Sequence, residues 1–296
     1  MRVMTPKILG AKTVMDAAHS PLRIYQEDPT PSLIGVPDPY RVAAAELLRP
    51  AGQRPGHTEL EPFSRAWFEE IEIKRYTPHG AWLRRVLEFT RHPGQNLLML
   101  GAGLGTDALQ YHRHGVEVTV AAGPADSADL VRKNFELRGL PLRVVHLNQD
   151  FVLPFERGKF DLAYLNLLHA GSPDPSALTE ELYRVLKPGG KAFVLAPARY
   201  DAGFWQHLLL PVRRWYRPPS KFSESPRYSG RALKQIFHRF TEPRTAKRHL
   251  RRSELPHLWR FVPAPVLERL MGRVMVLRAF KPISAVHEAL SIEAAA

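Results

Sequence analysis

Leu97-Leu98-Met99-Leu100-Gly101-Ala102-Gly103-Leu104-Gly105-Thr106-Asp107 is the segment on which the fold turns. An apolar run enters three alternate glycines, and a helical run follows them. Glycines at such a junction permit a tight turn and let the backbone approach a ligand lying over the amino end of the helix. The turn alone leaves the ligand open, and a turn needed only for packing would read the same way.

Outward from this point, short β-type runs alternate with helical ones, the pattern of a parallel sheet covered on both faces. Strands are expected at Asn96 to Leu100, Val116 to Ala121, Leu142 to Leu147, Phe160 to Leu165 and Lys191 to Leu195. Helices are expected near Thr106 to Arg113, Asp126 to Leu137 and Ala177 to Val185, the last closed by Lys187-Pro188-Gly189-Gly190. Upstream, apolar spacing from Phe63 predicts two short helices around Pro78-His79-Gly80. Downstream, Ser229 is expected to cap a helix reaching Phe240, and Gly272 to Ala279 reads as a further strand. The implied division is a proline-containing extension over 1–62, a core over 63–199, a basic part over 200–282 that completes the sheet, and a tail over 283–296.

The 296 residues hold 42 Lys+Arg against 29 Asp+Glu, a formal charge of +13, with 44% hydrophobic residues, enough for a sizeable core. Residues 200–282 carry 18 cations and 5 anions, so the whole excess sits there. A basic final third suits an anionic substrate, an acidic membrane surface, nucleic acid, or only a solvated face. No cysteine is present, which removes disulfides, thiol nucleophiles and thiolate metal sites. The first twenty residues are broken by Arg2, Lys7, Lys12 and Asp16, so the expectation is a soluble, cytoplasmic protein.

A strand-to-helix glycine loop serves nicotinamide, flavin and S-adenosylmethionine proteins alike, and Thr106 stands where a dinucleotide fingerprint has its third glycine. Two further motifs separate these: Leu153-Pro154-Phe155 before Phe160-Asp161-Leu162, and Leu182-Tyr-Arg-Val-Leu-Lys-Pro-Gly-Gly190. With all three, the chain resembles the class I S-adenosylmethionine-dependent methyltransferases, in particular the methyltransferase type 11 group, from about Glu69 to Pro282. The resemblance implies an α/β, Rossmann-like seven-stranded mixed sheet with helices on both faces and the last strand antiparallel. It also implies S-adenosylmethionine as cofactor. Gly101, Ala102, Gly103, Gly105 and Asp107 would then form its methionine end, Ala122 the ribose position, Gln149 and Asp150 the adenine side, with Asn166 and Tyr76 bordering the site.

Three positions depart from the family pattern. Met99 stands where an acid usually precedes the first glycine, Ala121 and Ala122 where an acid ends the second strand, and Gln149 beside Asp150 where an acid meets adenine. A carboxylate accepting ribose hydroxyls contributes about 1.5 to 3 kcal/mol, so losing one costs roughly ten- to a hundredfold in affinity.

Methyl transfer needs alignment and desolvation more than metal or covalent help. His169 is the candidate base, with Tyr164 second; no histidine pair has zinc-type spacing. Tyr76 is either a lid over the cofactor or an aromatic packed on the sheet. Arg213, Arg214, Arg217 and Lys221 interleave with Trp215, Tyr216 and Phe222, which suits an anionic or amphiphilic small-molecule substrate first, a membrane surface second and nucleic acid third. The leading expectation is methyl transfer to a small molecule. The alternatives are a methyltransferase-fold binder without turnover, and a nucleic-acid binder using Arg213 to Lys221 and Arg244 to Arg252.

Overall fold

The computed structural model describes residues 60–76, 80–123, 128–148, 150–168, 174–202, 204, 205, 226–250, 259 and 261–283. Within them lie α1 (Arg65–Tyr76), α2 (Trp82–Leu87), a 3-10 turn (Phe89–Arg91), β1 (Asn96–Leu100), α3 (Thr106–Arg113) and β2 (Glu117–Ala122). Then follow α4 (Ala128–Glu136), β3 (Arg143–His146), β4 (Phe160–Asn166), α5 (Pro175–Val185), β5 (Leu186–Pro197), α6 (Gly230–Ile236), β6 (Thr241–Arg248), α7 (Ala264–Met271) and β7 (Val274–Phe280).

The strands form one seven-stranded sheet in the order β3-β2-β1-β4-β5-β7-β6. The first five are parallel, and β7 runs antiparallel to both β5 and β6. This is the mixed α/β sheet the sequence implied. Its central strands are continuous apolar runs because both faces are covered: Leu97, Leu98 and Met99 are fully buried. On one face Leu98, Ala163, Val194 and Leu277 meet Leu182 of α5 and Leu233 of α6. On the other, Met99, Tyr164, Phe193 and Val276 meet Leu83 and Leu87 of α2, Leu109 of α3 and Phe135 of α4.

Local signals set several boundaries. Asp174 caps α5, its carboxylate accepting from the Ser176 amide at 2.9 Å with Pro175 in the first turn, and Ser229 caps α6 by accepting from the Ala232 amide at 3.1 Å. Helix α6 stops at Ile236, four residues short of the expectation, although Phe237 and Phe240 continue its buried stripe. Helix α5 ends at Val185 as expected, but Lys187-Pro188-Gly189-Gly190 belongs to β5, which starts five residues early across an irregular register at Phe160 and Leu162. Gly190 permits this, since a Cβ there would meet the Lys187 carbonyl at 2.7 Å and the Asp161 carbonyl at 3.1 Å. The expected helix near Arg41 to Leu48 lies outside the described residues. Among the described residues, no helix is long and apolar enough to cross a membrane.

Candidate cofactor site

β1 delivers the chain to the carboxyl end of the sheet, where Gly101, Gly103 and Gly105 take φ of 67°, 59° and 77°. Side chains rarely adopt this left-handed region, so three glycines in five residues write the crook directly into the sequence. Gly105 answers to packing as well, because a Cβ there would lie 2.8 Å from Val131 Cγ1 on α4. The Gly105 amide donates to the Ala102 carbonyl at 2.9 Å. Asn134 of α4, fully buried, donates from Nδ2 to the Leu104 carbonyl at 2.7 Å and pins the crook from behind. Gly101 and Gly105 are buried, while Ala102, Gly103 and Leu104 stay partly open.

Asp107, in the first turn of α3, is the hub of the site. Its carboxylate is 3% exposed and accepts from Arg75 Nε at 2.7 Å, from Arg75 Nη2, from the Tyr76 hydroxyl at 2.6 Å and from the Tyr164 hydroxyl at 2.7 Å. Burial alone would raise this carboxyl, but the Arg75 charge and the hydrogen bonds outweigh it and hold Asp107 below the usual carboxylate range. The two phenols move the other way, first through burial and then through the Asp107 charge, so both keep their protons at neutral pH.

These contacts reassign three residues from the expectation. Tyr164 is a proton-holding donor to Asp107, so the weak candidate base becomes a support of the site. Tyr76 is 2% exposed and packs edge-on against Phe89 at 5.9 Å, with its hydroxyl turned inward onto Asp107. Asp107 has its oxygens filled by side chains, and it holds α1 against α3. Arg75, whose role the sequence left unassigned, is the missed member. A carboxylate in the first turn of α3 beside Ala108, Leu109 and Tyr111, all buried, was the available signal, since a buried acid needs a partner.

The remaining candidates line the strand exits. Ala122 ends β2, buried, and its carbonyl accepts from the Leu147 amide at 2.8 Å. Met99 turns into the apolar face with no exposure. Asn166 ends β4, buried, with Oδ1 accepting from the Leu168 amide at 3.1 Å. Asp150 is exposed. Gln149, His169 and the Arg213 to Phe222 segment lie outside the described residues.

Comparison with known proteins agrees with this geometry. The methyltransferase domain family matches residues 98–194, from β1 into β5. A ubiquinone/menaquinone biosynthesis C-methyltransferase of Stenotrophomonas maltophilia is 34% identical over 136 residues, covering 44% of this chain and 53% of its own length. A demethylmenaquinone methyltransferase of Thermus thermophilus is 32% identical over 129 residues, 42% of this chain and 58% of the relative. A longer alignment, 28% identical, covers 72% of this chain and 81% of a Xanthomonas oryzae C-methyltransferase of the same description. The chain thus spans little more than half the length of the first two relatives. Strand order, glycine crook and domain match converge on one segment: residues 98–194 match the methyltransferase domain family and lie in a seven-stranded mixed sheet of the kind the sequence implied.

Proposed function

We propose that the protein transfers a methyl group from S-adenosylmethionine to a ring carbon of an aromatic, lipid-soluble acceptor of the quinol class. The observation that carries the cofactor half is the positive-φ glycine crook over the amino end of α3 at the carboxyl end of the sheet. The quinol class comes from the named activities of the relatives in Stenotrophomonas and Thermus.

The residues fit the cofactor at two of its three parts. The partly open backbone of Ala102 to Leu104 suits the methionine end, and exposed Asp150 suits the adenine amine. The ribose end has only the Ala122 methyl, so the grip there is weaker than in a site with a carboxylate. When bound, S-adenosylmethionine supplies a methyl group already activated by its sulfonium. This chain's part is to bind and orient: Arg75 and Tyr76, anchored by Asp107, fix α1 beside the crook and exclude water from that side. His169, following β4, is the candidate proton acceptor. Binding without turnover and nucleic-acid binding gain no support from the domain match or the relatives.

Calorimetry with S-adenosylmethionine and S-adenosylhomocysteine, followed by labelled methyl transfer to a naphthoquinol, tests the reading. Binding of both ligands is expected, and Ala122→Asp should tighten it about tenfold by restoring the ribose contact. Undetectable binding at millimolar ligand removes the enzymatic reading.

A further inference from the structure

The exit of β5 and helix α7 carry an exposed apolar surface. Phe261 is 89% exposed, Leu270 48% and Val266 47%. Val266 and Leu270, four apart on α7, share its outward stripe, while Leu267 and Met271 on the inner side are buried against Ala202. Helix α7 is therefore apolar on a covered face and a bare one. Lys247 Nζ donates to the Tyr200 carbonyl at 2.7 Å and the Leu270 carbonyl at 2.8 Å, which brings the exit of β5 against the end of α7. Tyr200 and Phe204, both partly exposed and 5.0 Å apart edge-on, continue the surface there.

Exposed cations border the patch. The Arg199 guanidinium lies 5.6 Å from the Tyr200 ring centre, and Arg269 and Arg273 are exposed on and just after α7. The neighbouring acids turn inward: Glu268 accepts from Arg248 at 3.1 Å and the His249 amide at 3.2 Å, and Asp201 from Arg227 at 3.0 Å and the Phe204 amide at 2.9 Å. Among the described residues, the patch thus joins bare aliphatic and aromatic side chains to positive charge, with the carboxylates of Glu268 and Asp201 engaged.

We propose that this face docks on the surface of a bilayer containing anionic lipids, with Phe261, Val266 and Leu270 at the boundary of headgroups and acyl chains and the arginines against phosphates. The aromatic rings and arginines alone would also suit nucleic acid, but the exposed Val266 and Leu270 pair is aliphatic surface that acyl chains cover and stacked bases do not. A second copy of the chain would set arginine against arginine. The docked face adjoins the exit of β5, at the carboxyl end of the sheet where the crook also lies, so, on the reading proposed above, it offers a lipid-soluble acceptor a route toward the site from the bilayer.

Co-sedimentation of the full chain with phosphatidylcholine vesicles and with vesicles half phosphatidylglycerol tests the inference. Binding to the anionic vesicles, weakened by salt, is expected. The variant Phe261→Ser/Val266→Ser/Leu270→Ser should lose at least about tenfold in vesicle affinity, as should Arg199→Glu/Arg269→Glu. Both should keep the melting temperature and S-adenosylmethionine affinity of the parent, because the changed side chains are exposed and away from the crook. No binding of the parent to anionic vesicles, or equal binding by both variants, overturns the proposal. So does a parent dimer that the triple variant converts to monomer. Calorimetry with the cofactor reports separately on the methyl-transfer reading.

Discussion

Two buried carboxylates sit on the same face of the sheet, at opposite ends, and they are neutralised differently. Asp107, at the carboxyl end, has one cation, Arg75, and two neutral phenols. Glu88, at the amino end, accepts from Lys191 at 2.5 Å and Arg278 at 2.9 Å, with Arg91 at 3.7 Å. One knot sums to zero charge and the other is in positive excess. The difference has a physical use. Phenols supply directed donors without adding positive charge, and a sulfonium ligand bound near Asp107 would be repelled by surplus cations.

The contrast can be broken in order of size. Asp107→Asn removes the charge that compensates Arg75, whose side chain is only 23% exposed, and should cost about 3–5 kcal/mol in urea unfolding. Glu88→Gln should cost less, about 1–3 kcal/mol, because Arg278 is 37% exposed and water can take over part of its solvation. Equal losses would erase the distinction between the two ends. Acid gives the finest reading. Burial raises both carboxyls, yet Arg75 at one and Lys191 with Arg278 at the other bring each below its ordinary value. Their stabilisation is therefore complete above about pH 5, beyond the ordinary carboxylate values, and is lost as the pH falls through the lowered ones. The drop in melting temperature from pH 5 to 3 should shrink in both variants, and more in Asp107→Asn.

What could be read from sequence was what neighbouring residues decide. The crook needs three glycines in one short run, and β1 and α3 fall within the expected limits because periodicity and turn chemistry are local. The Asp107 knot was illegible for the opposite reason: its partners lie 32, 31 and 57 residues away, and no local pattern selects Arg75. Strand β6 also escaped notice. Its sequence, TEPRTAKR, reads as a charged loop, but it is an edge strand pairing only with β7, where proline and exposed cations are tolerated and discourage pairing with other chains. Helix α7 was hidden by its brevity and by Pro263 and Pro265 at its start. Of the cofactor positions, the acids missing at Met99 and Ala122 were visible at once, whereas the use of Met99 as core filler needed the fold.

The last strand is slotted between β5 and β6, so its neighbour on the outer side is made earlier than it is. A nascent chain leaving the ribosome can assemble the parallel half from β1 to β5, but β6 then waits with both edges bare until β7 emerges and bridges them. Closure of the sheet is consequently a late event in biosynthesis, and a ribosome stalled anywhere before Phe280 would leave an unpaired edge for chaperones to shield.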